Sequence, residues 1–105
     1  MARYAAELSY DGALFSGWQR QPNQTTVQQV LEDVLSKLNG SSVAVAGAGR
    51  TDTGVHARAQ MCSFDMSADW DNYRLLRALN AHLPQGISVL RTARTRPDFH
   101  ARFDA

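Results

Sequence analysis

Cysteine occurs once in this sequence, at Cys62, lysine once, at Lys37, and proline three times. Each scarcity removes a class of answer. One cysteine cannot close an internal disulfide, so stability has to come from packing and hydrogen bonding rather than cross-links. No apolar run approaches the roughly 20 residues that a membrane span needs. The N-terminal "MARYAAELSYDG" lacks the long apolar core of a signal peptide and reads as a strand of a cytoplasmic protein. A chain of 105 residues is the size of one domain, with a single hydrophobic core. Its net charge of +1 exerts no strong overall pull on a polyanion. The basic residues are nevertheless almost all arginine, the side chain suited to bidentate phosphate contacts.

Read along the chain, the hydrophobic pattern alternates between strand and helix periods. Arg3 to Ser9 predicts a first strand, and the glycine- and proline-punctuated "YDGALFSGWQRQPNQ" predicts a loop after it. That loop carries Phe15, Trp18, Gln19, Arg20 and Gln21, all able to stack on or hydrogen-bond a ligand; for the two aromatics, packing on the core is favoured. Thr25, three residues before Gln28, suggests a capping box for a helix whose Val27, Val30, Leu31, Val34, Leu35 and Leu38 share one face and which ends at Gly40. The small, glycine-rich "SSVAVAGAG" suits a buried strand approached closely by neighbouring backbone. "QMCSFDM" alternates as another strand, with Cys62 at a position suited to core packing rather than to a reactive thiol. A second helix fits "DWDNYRLLRALNAHL", with Leu75, Leu76, Leu79 and Leu83 in a stripe and Asp69 or Asp71 capping the start. "ISVLRTART" then predicts a fourth strand, and "RPDFHARFDA" a further extended piece. The order strand, helix, strand, strand, helix, strand is that of a ferredoxin-like α+β fold, a four-stranded antiparallel sheet with both helices on one face. The other face is left to bind something, often RNA, or to pack on a second domain or subunit.

Between the second and third predicted strands lies "GAGRTDTGVHARAQ", residues 47 to 60, the richest run of functional groups in the chain. Gly47, Gly49 and Gly54 permit a tight loop that presents Arg50, Asp52 and His56 at its rim. Arg50 and Asp52 are two apart, so on an extended backbone their side chains leave the same face. A neighbouring guanidinium keeps Asp52 ionised, as a nucleophile or base requires. The same pair also suits a structural salt bridge, with Thr51 and Thr53 capping a turn. The glycines spell neither a Walker loop nor a dinucleotide fingerprint. His56, His82 and His100 match no zinc spacing, which disfavours a metal-dependent hydrolase. Arg91, Arg94, Arg96 and Arg102, near the end of the chain, suit either a solvated edge or a phosphate-facing stripe.

"YDGALFSGWQRQP", "TVQQVLEDVL", "GRTDTGVHARAQ", "LNAHLP" and "FHARFDA" together resemble, in order and spacing, the N-terminal half of the tRNA pseudouridine synthase A family. The resemblance implies an isomerase that converts uridine to pseudouridine in the anticodon stem-loop of tRNA, without metal, nucleotide or organic cofactor, and that is typically a homodimer. It assigns the catalytic carboxylate to Asp52 and a supporting, base-displacing role to Arg50. The phosphate-facing and RNA-binding side chains it leads us to expect are Gln19, Arg20, His56, Arg58, Arg91, Arg94, Arg96 and Arg102. The family continues past the position of Ala105 into a tyrosine-bearing strand and a second domain. The expectation for these 105 residues alone is therefore a catalytically silent RNA-binding or self-associating module.

Overall fold

The computed structural model describes residues 2–18, 21–47 and 57–96, without the side chains of 57–59. Its elements are β1 (Ala2–Tyr10), α1 (Val27–Asn39), β2 (Val45–Gly47), β3 (Ala57–Met66), α2 (Asn72–His82) and β4 (Ile87–Arg94). The strands form one antiparallel sheet in the order β2-β3-β1-β4, which is the expected ferredoxin-like α+β arrangement. Among the described residues no helix is long and apolar enough to cross a membrane.

Period-two alternation decides which face the helices cover. Tyr4, Ala6, Leu8 and Tyr10 of β1 are buried, as are Cys62, Phe64 and Met66 of β3. They share one core with Val27, Leu31, Val34 and Leu35 of α1 and Leu75 and Leu79 of α2. The Tyr4 and Phe64 rings stack with centroids 6.1 Å apart. The Tyr4 hydroxyl is not stranded in this core, because it hydrogen-bonds the main chain of Trp70 at the entry to α2. Phe15 and Trp18 are buried, as the sequence suggests.

Helix boundaries follow capping, with one correction. The cap of α1 is Thr26 and not Thr25: its extended backbone places its hydroxyl oxygen to accept from the Gln29 amide at 3.4 Å. Thr25 instead gives its carbonyl to the Ser16 amide, 2.8 Å, closing the loop ahead of the helix. Gly40 ends α1 in the left-handed conformation, φ 74°, which a residue with a β-carbon adopts only at a cost. Asp71 caps α2 by accepting from the Arg74 amide at 3.1 Å.

One residue on each outer strand of the sheet is bound by helix side chains. On β2, the Val45 amide donates to Glu32 Oε2 and the Val45 carbonyl accepts from Gln28 Nε2, each 2.8 Å; Gln28 and Glu32 are one turn apart on α1. On β4, Asn80 of α2 acts alone: Oδ1 accepts from the Val89 amide at 2.8 Å, and Nδ2 donates to the Val89 carbonyl at 3.0 Å. The Val45 and Val89 backbone groups, which would otherwise offer a template to another strand, are satisfied within the chain. The final segment "RPDFHARFDA", whose missing strand partner suggests self-association, lies beyond Arg96 outside the described residues.

Cys62 is fully buried, and burial pushes its thiol pKa up to about 12. The native chain should therefore be inert to a thiol-labelling disulfide at pH 8, with labelling following global unfolding; rapid stoichiometric labelling of the folded chain would contradict the core placement.

Candidate active site

The end of the sheet where β1 finishes is built from three converging segments. Tyr10, the last residue of β1, pairs with Ala57, the first of β3. Gly47, the last of β2, pairs with Cys62 further along β3. Residues 48–56, with Arg50, Asp52 and His56, join Gly47 of β2 to Ala57 of β3 in the sequence and lie outside the described residues.

The loop after β1 leaves from the same end and is held by hydrogen bonds. The Asp11 amide donates to the Gly86 carbonyl at 2.8 Å, tying the loop's start to the turn before β4, and Asp11 Oδ1 accepts from the Ala13 amide at 2.9 Å. The Val27 amide then donates to the Gly17 carbonyl at 3.2 Å, and the Gln28 amide to the Trp18 carbonyl at 2.9 Å. Together with the Thr26 cap, these satisfy amides that the first turn of α1 would otherwise leave without partners. The chain is thus fixed up to Trp18. Gln19 and Arg20 follow directly and lie outside the described residues, as do Arg50, Asp52, His56, His100 and Arg102.

On the face away from the helices, side chains alternate in charge and size. Arg3 and Asp65, direct cross-strand partners, form a two-pronged ion pair with Nε to Oδ1 at 2.7 Å and Nη2 to Oδ2 at 2.9 Å. Next come Ala5, Ser63 and Ala93 in one register, with Ala46 beyond Ser63. Nearer the loop end, Glu7 lies between Met61 and Arg91 and accepts from Arg91 Nη2 at 3.2 Å. The face therefore has a smooth strip of small residues between two ion pairs. Ala5 and Ser63 are each only 4% exposed, whereas Ala93 on the edge strand is exposed.

The structure separates the expected arginine stripe. Arg91 lies opposite Glu7 on the open face with its side chain 74% exposed. Arg94 lies opposite Tyr4, on the helix-covered side, and pairs with Asp69 at 3.1 Å. A bulge between Glu7 and Leu8 shifts the register of β4 but leaves Arg91 and Arg94 three residues apart and on opposite faces. Arg94 and the exposed Arg96 beyond it also sit toward the far end of the sheet, since Tyr4 is six residues from Tyr10, roughly 20 Å at about 3.3 Å per residue. Only Arg91 of these three stands on the open face near the anchors of the Asp52 segment. Arg58 is in β3, next to the Ala57 anchor. His82 is exposed at the end of α2, its Nδ1 2.9 Å from the Ala78 carbonyl oxygen. Among the described residues there is no cluster of three potential metal ligands.

Several structural partners escape a reading of the sequence. The Arg3 and Asp65 pair joins positions 62 residues apart, and the edge clamps at Gln28, Glu32 and Asn80 are polar residues on helices with no motif to mark them. An open depression beside the first loop is lined by Gln21, Pro22, Asn23, Gln24, Thr25 and Gln29. It offers amides and hydroxyls but no titratable group, so it suits contact with a ligand rather than proton transfer.

Comparison with known proteins identifies relatives of the chain. A family model described as tRNA pseudouridine synthase matches residues 6–104. The chain is 51% identical to tRNA pseudouridine synthase A of Dinoroseobacter shibae over 100% of its own length and 41% of the relative's. It is 53% identical to the Neisseria gonorrhoeae protein of the same name, over 98% of the chain and 39% of the relative. The chain thus spans about two-fifths of the length of these relatives.

The ion pair on the open face makes a pH-dependent prediction. The hydrogen bond from Arg3 holds the Asp65 carboxyl below its ordinary value of 3.8. A depressed carboxylate stabilises the fold above its unfolded pKa, and that contribution is lost as pH falls through the folded value. Asp65→Asn should cost about 0.5–1 kcal/mol at pH 7, as befits a half-exposed cross-strand pair. In denaturant unfolding the two proteins should converge below the ordinary carboxylate range; a difference that stays constant from neutral to strongly acid pH would refute the pairing.

Proposed function

The chain belongs to the tRNA pseudouridine synthase family, and on that premise we propose that it is the aspartate-bearing N-terminal domain of an enzyme that isomerises uridine in the anticodon stem-loop of tRNA. The observation that carries the reading is the place of the "GRTDTG" segment. In chain order it joins β2 to β3, within a family match that spans nearly the whole chain.

Pseudouridine formation requires the bond between ribose C1′ and uracil N1 to break, the base to turn, and a bond from C1′ to C5 to form. The hydrogen on C5 leaves to solvent while N1 takes up a proton, so the product has the composition of the substrate and the reaction balances without a co-reactant. A carboxylate can start this by attacking the sugar or the base, or by accepting a proton from the ribose, and each route begins with an ionised acid. We assign that carboxylate to Asp52, with Arg50 beside it favouring the charged form. A uridine in a paired stem must first leave the stack, at a cost of a few kcal/mol. Phosphate contacts from arginines such as Arg20, Arg58 and Arg91 would hold the distorted RNA. Arg91's pairing with Glu7 is a surface contact of little intrinsic strength, and a phosphate can replace it.

The enzyme would act in the cytoplasm, where its tRNA substrate is found, as a homodimer assembled through surfaces other than the clamped points at Val45 and Val89. The test is tritium release from tRNA transcript labelled at uridine C5. The assay compares this chain, the chain joined to the remaining part of the Dinoroseobacter relative, and both with Asp52→Asn. The joined protein should release tritium and its Asp52→Asn variant should lose about a thousandfold or more of that rate, the scale on which a reacting group's removal is felt. Undiminished release by the variant would remove Asp52 from the chemistry.

A further inference from the structure

Gly47 has no room for a side chain. A β-carbon built there would meet the Trp18 indole, lying 2.5 Å from Cε2 and 2.8 Å from Cζ2, with Nε1 also in contact. Real β-carbons do not approach other atoms so closely, so the indole occupies the space a side chain at 47 would need. The sequence suggested a strand approached by neighbouring backbone; the approach comes instead from an aromatic ring in a different loop. Trp18 is itself only 3% exposed, and its carbonyl is held by the Gln28 amide at the start of α1. α1 in turn grips β2 through the Gln28 and Glu32 clamp on Val45. A closed circuit results: α1 fixes Trp18, Trp18 bears on Gly47, and Gly47 is two residues from the Val45 that α1 holds.

Gly47 is also the last described residue before the segment that carries Arg50 and Asp52, and Trp18 is the last before Gln19 and Arg20. From this we infer that Trp18 is a positioning residue for the isomerisation, setting Gly47, the anchor that precedes the Asp52 segment in the chain. The inference rests on the reading of Asp52 as the catalytic carboxylate. Trp18 touches no reacting atom in this account. It acts by removing freedom at Gly47, since a misplacement of about 1 Å at a reacting group costs on the order of a hundredfold in rate.

Two measurements test it. Hydrogen exchange at Val45–Gly47 in this chain, read against exchange across the β1 and β4 pairing, should rise tenfold or more in Trp18→Ala and in Gly47→Ala, while the β1 and β4 amides keep their protection. In the joined protein the same substitutions should lower kcat for tritium release tenfold or more with KM for tRNA within twofold. Trp18→Phe, which keeps a ring, should recover most of the rate, and the double variant Trp18→Ala with Gly47→Ala should lose little more than either single one, because both break one contact. Leu79→Ala, a core change elsewhere, is the control: it should raise exchange throughout the sheet and leave kcat per folded molecule unchanged. Exchange at β2 that rises only in step with the whole sheet would overturn the inference. So would a loosened β2 with kcat intact. Failure of the underlying reading shows separately, as full tritium release by Asp52→Asn, and the exchange measurement still decides whether Trp18 anchors Gly47.

Discussion

β1 hydrogen-bonds along both edges, to β3 from Ala2 to Tyr10 and to β4 from Tyr4 to Tyr10, so it is buried from both sides before any helix packs on it. A strand in that position admits a single register, because a slip of one residue would turn Tyr4, Leu8 and Tyr10 out of the core and bring Arg3 and Glu7 in. Everything else is referred to this register. It sets Phe64 beside Tyr4, places Cys62 at the level of Ala6, and brings Ala57 to the end of β1. The segment with Asp52 therefore starts and finishes at positions determined by a buried strand, not by the loop's own preferences. Catalytic groups carried on loops need such a frame to be held in place.

The helices contribute more than an apolar lid. Each reaches round the sheet with amide or carboxylate side chains to satisfy an outer strand, α1 at Val45 and α2 at Val89. The two halves of the fold thus use the same device with different residues, two side chains on one helix and a single asparagine on the other. A short strand such as β2, with three residues, has few ladder bonds of its own. Its attachment to α1 and the indole packed on Gly47 compensate for that brevity. The consequence is that one backbone position on each outer strand is held by a helix, while the other face of the sheet carries the Arg3–Asp65 and Glu7–Arg91 ion pairs and no helix.

Elements with strong periodicity were legible in the sequence, and those fixed by tertiary contacts were not. The apolar stripes of α1 and α2 and the alternation of β1 and β3 specified the fold class, and the burial of Cys62, Phe15 and Trp18 followed from their chemistry. The shift of the α1 cap from Thr25 to Thr26 turned on which threonine had its backbone engaged elsewhere, a fact about Ser16 that local spacing does not contain. Arg91 and Arg94 look like members of one cluster in the linear sequence, but strand geometry sends them to opposite faces. "GRTDTG" announced chemistry through its composition and its resemblance to a family. The role of Gly47 did not show, because a glycine in a glycine-rich run gives no sign that a tryptophan from another loop fills its missing side chain.

The central claim is that recognition and chemistry share the open face toward the end of the sheet where β1 finishes and β3 begins. An amide chemical-shift footprint of an anticodon stem-loop RNA on this chain tests it most directly, since it reads location without requiring turnover. The account predicts perturbations at Glu7, Met61 and Arg91 and in residues 48–56, with Lys37 of α1 and Tyr73 of α2 unaffected. Perturbations confined to the outer surfaces of α1 and α2, with the open face silent, would contradict it.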